Sequence, residues 1–193
     1  MDTEGAAKME WTENLRRIGT IHSPFLDASG TPVQNFAARG HEGGLLPQGE
    51  LEAFPVRDAR GGRGTLEIDP RWEEALQDLV GYDRIWLLFW VHRAGPVRPL
   101  VRPYRDTVER GLFATRAPAR PNPIGLSCVR LLGLRGRFVH VAVLDALDGS
   151  PLLDIKPYVP EYDSFPGASR GWLEAPTVSQ GAILADNRFQ AGT

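Results

Sequence analysis

The sequence has one cysteine, two lysines, four histidines and no unbroken apolar run longer than the seven residues from Ile85 to Val91. A lone Cys128 excludes an internal disulfide framework, and His22, His41, His92 and His140 are too scattered for a zinc-ligand spacing, so no metal is expected. Seven apolar residues fall far short of the roughly 20 that a spanning helix needs. The first residues carry neither the basic start nor the apolar core of a secretory signal, and a cytoplasmic protein with no membrane contact is expected. Also missing are a glycine-rich dinucleotide fingerprint after a strand, a phosphate loop ending in Gly-Lys-Ser/Thr, a Gly-x-Ser-x-Gly elbow and His-Glu-x-x-His. Those absences remove the usual support for Rossmann cofactors, nucleotide hydrolysis, serine hydrolases and zinc peptidases.

What is present suffices for one ordinary domain: 193 residues, 42% hydrophobic and 24% charged, with a net charge of −2. The small net charge conceals a segregation. Between Arg84 and Arg137 stand 11 arginines against two acids, Asp106 and Glu109, while the remainder is acidic. Arginine outnumbers lysine 20 to two, and its planar fork suits bidentate capture of carboxylate or phosphate. Solvated arginines are the plainer alternative at any single position.

Residues 1–14 are polar, acidic and aperiodic and read as a flexible leader. The stretch from Leu15 to His22 alternates as a strand ended by Ser23-Pro24. A Gly/Pro-rich loop system follows to Gly64, then a strand from Gly64 to Ile68. Asp69-Pro70 is a capped helix start, and Trp72, Ala75, Leu76 and Leu79 then fall on one helical face that Gly81 ends. The aromatic-rich run Ile85 to His92 predicts a strand covered on both faces. A basic loop from Arg98 to Arg110 leads to a short strand over Gly111 to Thr115, a proline-stiffened loop, and two strands, Leu126 to Leu134 and Phe138 to Leu144. These last two pair across Arg135-Gly-Arg137, and Leu152 to Ile155 forms a final strand. Many short strands with one good helix predict a mainly β fold, a small single-domain β-barrel with one or two short helices.

Four islands carry the unusual chemistry: Ile18-Gly-Thr-Ile-His-Ser-Pro-Phe25; Gly81-Tyr-Asp-Arg-Ile-Trp86 with its run to His92; Phe113-Ala-Thr-Arg-Ala-Pro-Ala-Arg-Pro-Asn-Pro-Ile-Gly-Leu-Ser127; and Leu144-Asp-Ala-Leu-Asp-Gly-Ser-Pro-Leu-Leu-Asp-Ile-Lys-Pro-Tyr158. Pro118, Pro121 and Pro123 stiffen the third, so Arg116 and Arg120 sit on a preset loop suited to clamp an anion. Gly125 admits either close approach of a ligand or a bend into the next strand. Asp154 and Lys156 share one strand face with Tyr158 just beyond, an acid, an amine and a phenol able to move a proton, although an ordinary surface ion pair explains the first two equally well.

Together these islands resemble the TsaA-like (TrmO) family over residues 15–165. The resemblance implies a non-Rossmann β-barrel methyltransferase dependent on S-adenosylmethionine. Its acceptor would be the exocyclic nitrogen of N6-threonylcarbamoyladenosine beside the tRNA anticodon, and a homodimer would hold the cofactor near its interface. Carried onto this sequence, the resemblance implies cofactor contacts at Pro32, Val33, Gln34, His92, Arg93, Arg116, Leu126, Asp145, Ala146, Leu147 and Asp148. Asp154, Lys156 and Tyr158 are the catalytic candidates, chosen from their chemistry. Longer bacterial members of the family have a further C-terminal domain, where this sequence has a short extension over residues 166–193. A small-metabolite methyltransferase of the same fold and a non-catalytic cofactor-binding module therefore stand as alternatives.

Overall fold

The computed structural model describes residues 15–28, 31, 45–55, 57–58, 62–104, 106–174 and 189. Within them lie strands β1 (Gly19–His22), β2 (Arg57–Asp58), β3 (Arg63–Ile68), β4 (Arg84–Trp90), β5 (Leu100–Val101), β6 (Arg110–Gly111), β7 (Ile124–Arg135), β8 (Phe138–Ala142) and β9 (Ser150–Pro157). Two short helices, α1 (Gln48–Glu52) and α2 (Pro160–Asp163), accompany them.

Six strands form a closed antiparallel barrel in the order β1, β9, β4, β7, β8, β3, with β3 pairing back onto β1. The chain is thus mainly β, as the sequence predicts. Closure needs strong curvature, and two register shifts supply it. One falls between Leu88 and Phe89 where β4 meets β9, the other between Leu131 and Gly133 where β7 meets β8; an extra residue in one strand bends it and increases its twist. Strand alternation then fills the interior with Ile21, Leu66, Ile68, Ile85, Leu87, Val129, Leu131, Val139, Val141 and Leu152, all buried. The tight β7–β8 turn is served by Gly136 at φ +54.

Three local expectations give way. Asp69 does cap the next segment, its side chain accepting from the Arg71 N–H at 3.0 Å, but Pro70–Leu76 winds as a 3₁₀ helix, with a second 3₁₀ turn over Leu79–Gly81. The two turns are separated by an extended Gln77 (ψ 139) and a left-handed Asp78 (φ +63), and this break, not a continuous helical row, brings Leu76 and Leu79 against the barrel while Trp72 and Ala75 stay in solvent. The strand expected over Gly111 to Thr115 is only two residues, β6, followed by a 3₁₀ turn over Leu112–Ala114. There the Thr115 hydroxyl donates to the Leu112 carbonyl at 2.8 Å and competes with a ladder. Finally, β4 is buried on one face only: Ile85, Leu87 and Phe89 enter the core, whereas Trp86, Leu88 and Trp90 are half-buried on the outside.

The long β6-side segment folds onto itself. Val101, Leu112, Ala117 and Ala119 form a second small core with Phe189, whose carbonyl accepts from the Gly95 N–H at 2.8 Å. Trp172 docks on the same segment, its indole N–H donating to the Ala114 carbonyl at 2.8 Å. No helix among the described residues is long and apolar enough to cross a membrane.

Candidate functional site

The barrel mouth is organised by two of the sequence islands meeting. The loop after β8 is stitched to the end of β1: the Ser23 hydroxyl donates to the Ala146 carbonyl at 2.7 Å, the Ser23 N–H to Asp148 Oδ1 at 3.1 Å, and the Asp148 N–H to the Phe25 carbonyl at 2.8 Å. At the start of this loop Val143, buried and β-branched, has φ +65. That conformation costs such a residue about 1–3 kcal/mol. It turns the chain sharply out of β8, immediately before Asp145.

Asp145 takes a hydrogen bond from the hydroxyl of Ser127, an inward position of β7. Its carboxyl is packed round by protein, and burial pushes its pKa up to about 6, against the pull of the Ser127 hydrogen bond and the more distant Arg116. Asp145 and Ser127 open onto a cavity of about 1220 Å³, larger than the ~300–1,000 Å³ usual for one small ligand. The cavity runs from the barrel mouth, past Phe89 and Gly125, across the outer face of β4 and β7 to Trp86 and Tyr158, and is walled by Arg116 and Phe113 from the proline-stiffened loop and by Trp172.

Seven of the expected cofactor contacts line this cavity: His92, Arg93, Arg116, Leu126, Asp145, Ala146 and Leu147. His92 lies 3.3 Å through Nδ1 from the Ser150 hydroxyl, and burial, followed by the Arg93 charge, lowers its pKa and favours the neutral ring. Arg93 donates to the Leu26 carbonyl at 2.7 Å. Asp148 lies behind the wall, bound to the Ser23 N–H and 3.9 Å from His22 Nδ1. Pro32, Val33 and Gln34 lie outside the described residues.

Both arginines of the expected anion clamp line the cavity. Arg120 also donates to the carbonyls of Leu112 and Thr115, each at 3.2 Å, and so pins its own loop, whereas the Arg116 charge acts on Asp145. Of the three catalytic candidates, only Tyr158 lines the cavity, its ring 5.9 Å from that of Trp86. Asp154 and Lys156 pair with each other at 2.8 Å on the surface, their side chains 42% and 64% exposed, and neither lines the cavity. In the β4–β9 register Lys156 stands opposite Trp86 and Asp154 opposite Leu88 on the outer face.

Sequence reasoning missed Ser127, Phe89, Arg84 and Trp172. Ser127 carried a signal, a polar residue at an inward strand position; Trp172 joins the wall through a tertiary hydrogen bond with no local signature. The choice of glycine at position 125 is explained as well. Gly125 leaves room for the ring of its cross-strand partner Phe89, which a Cβ would approach to 2.3 Å.

A closed antiparallel barrel with a half-buried acid and an arginine lining one large mouth cavity defines a class of ligand-binding barrel unrelated to Rossmann sheets. Residues 20–164 match the family model of the tRNA-methyltransferase O N-terminal domain, and the chain belongs to that family. It is 41% identical over 174 residues to a probable S-adenosyl-L-methionine-binding protein of Pyrococcus abyssi, covering 90% of this chain and 83% of that protein. It is 36% identical over 178 residues to the tRNA (adenine(37)-N6)-methyltransferase of Escherichia coli, covering 88% and 67%. The crystal structure of TrmO from Pseudomonas aeruginosa superposes with a TM-score of 0.64 at 36% identity, covering 86% of this chain. The chain spans 64% of that solved structure's length.

Proposed function

We propose that this protein is an S-adenosylmethionine-dependent methyltransferase that modifies tRNA at N6 of adenosine 37, with N6-threonylcarbamoyladenosine as the acceptor. The observation that carries the reading is Asp145, a half-buried carboxyl at the barrel mouth that lines one cavity with Arg116 and feels its charge, in a chain of this family.

The residues present fit the cofactor's chemistry. Arg116 offers a fork for an amino-acid carboxylate, Asp145 a negative charge for cationic groups, and Leu126 an apolar surface for a purine. Bound there, S-adenosylmethionine supplies a methyl group on a positively charged sulfur, a leaving group that becomes neutral on transfer. The protein's task is then to bring the acceptor nitrogen in line and exclude water, which supplies most of the rate in such displacements. Tyr158, at the cavity's outer end, orients the acceptor. Asp154 and Lys156, held to each other on the rim, contribute charge toward the RNA in place of a proton-transfer role.

Two further parts belong to this reading. The arginine-rich segment from Arg98 to Arg120 contacts tRNA phosphates in the cytoplasm. Phe113 on the cavity wall, and Tyr162 and Phe165 after β9, 81%, 75% and 73% exposed, are covered by a second copy of the chain in a homodimer.

Incubating the purified protein with S-adenosylmethionine and tRNA from a strain lacking it, followed by mass spectrometry of the nucleosides, tests the proposal. One added methyl on threonylcarbamoyladenosine is the expected result, and activity that falls with salt. Removing a single phosphate-binding cation, as in Arg98→Glu or Arg102→Glu, lowers the logarithmic salt slope by roughly 0.7–0.9. Absence of tRNA methylation together with salt-independent activity on a small metabolite would overturn it. Light scattering at micromolar concentration checks the dimer.

A further inference from the structure

We propose that the outward lobe of the cavity, built by Arg84, Trp86 and Tyr158, is the acceptor pocket, and that Arg84 selects a nucleobase bearing a carboxylate substituent. This rests on the proposed methyl transfer to tRNA and names the residue that chooses its substrate.

The alternation of β7 divides the cavity. Gly125 and Ser127 face the barrel mouth with Asp145, whereas Leu126 and Cys128 face outward, Cys128 opposite Trp86 in the β4–β7 register. At about 1220 Å³ the whole has room for a cofactor and a second planar ligand. The outward lobe has the chemistry of a base pocket. Trp86 and Tyr158 present rings 5.9 Å apart at 51°, both half-buried, and flat aromatic faces hold an unstacked base without regard to its identity. A stacking surface alone therefore gives no selectivity, which must come from a polar group beside it.

Arg84 is that group. It lines the lobe half-buried and hydrogen-bonds to the Cys128 thiol, which burial keeps protonated. A thiol is a weak acceptor and cannot satisfy a fork of five N–H donors. A second observation points the same way: Arg130 stands directly opposite Arg84 on the outer face, so the ladder places a second cation beside this end of the lobe and the local field draws negative groups toward it. Asp163 also lines this side of the cavity, its Oδ2 accepting from the Val159 N–H at 2.8 Å to hold the start of α2. A substrate carboxylate arriving next to a base stacked on Trp86 is received bidentately by the guanidinium, whereas an adenine without that substituent offers the arginine nothing.

The test is calorimetry on the full chain saturated with S-adenosylhomocysteine, titrated with N6-threonylcarbamoyladenosine and, separately, with adenosine. The wild type should bind the carboxylated nucleoside at least tenfold more tightly. Arg84→Met should erase that preference, Arg84→Lys should retain part of it, and neither should change the affinity for S-adenosylhomocysteine. Trp86→Leu should weaken both nucleosides while keeping their ratio, a control that stands if the arginine variant is poorly folded. Equal affinities in the wild type, or a preference that survives in Arg84→Met, would overturn the pocket. An Arg84-dependent preference in a protein that methylates no tRNA leaves the pocket standing and removes the methyl-transfer reading. Methylation of threonylcarbamoyl tRNA with an unchanged KM in Arg84→Met does the reverse.

Discussion

Phe89 lays its ring over Gly125, its partner across β4 and β7, so closely that a methyl at the glycine would stand 2.3 Å from the ring. The contact seals the barrel mouth beneath the cavity, since both residues line it. Gly125→Ala should therefore force Phe89 off its rotamer and destabilise the fold by about 1–3 kcal/mol, the usual cost of overpacking. Thermal melts check the value. A double variant with Phe89→Leu should recover most of the loss, because the shorter side chain vacates the space.

The two arginines of the proline-stiffened loop should respond differently to truncation. Arg116→Ala should weaken S-adenosylmethionine binding by roughly 1.5–3 kcal/mol, the range for a hydrogen bond to a charged group, and leave the melting temperature unchanged. Arg120→Ala removes the side-chain donor to the Thr115 carbonyl and one of the donors to the Leu112 carbonyl and should lower the melting temperature. Calorimetry and melts on both variants separate the roles.

Asp145 couples pH to both binding and stability. Its carboxyl, shifted up to about 6 from 3.8, is negative only above that value, so affinity for the cationic cofactor should rise as pH increases from 5 to 7 and flatten in Asp145→Asn. The stability sign is opposite. A raised native pKa means that the folded state binds the proton more tightly, so its stabilisation is complete below about 3.8 and lost as pH passes about 6. The melting temperature of the wild type should fall relative to Asp145→Asn over that interval.

His140 is buried on the outside of β8 beneath Phe54, with Nδ1 3.1 Å from the Thr65 hydroxyl and no partner at Nε2 among the described residues. Burial, then the Arg135 charge, lowers its pKa below 6.5. A depressed native histidine must charge on unfolding, so the stability it permits is present above pH 6.5 and is lost as pH falls below it. Denaturant melts between pH 7.5 and 5 should show this decline, reduced in the double variant Thr65→Val, His140→Phe.

The sequence determined the barrel's strands because their signals are local: period-two alternation in β1, β3 and β8, an apolar run in β4, and proline or glycine punctuation at their ends. It also supplied most of the mouth, since Arg116, Asp145, Ala146 and Leu147 sit in islands of unusual composition. The tertiary structure decided what each polar group does. Arg116 and Arg120 look alike in sequence and both line the cavity, yet only Arg120 is tied to carbonyls brought round by a 3₁₀ turn. Asp154 and Lys156 share a strand face with Tyr158, as the period-two rule requires, but only the tertiary structure decides that Tyr158 lines the cavity while the other two pair with each other at the surface. Ser127 and Asp145, 18 residues apart, and Phe89 and Gly125, on different strands, meet only when the sheet closes. Which face becomes solvent, core or site depends on what packs against it from far along the chain, and no local period carries that information.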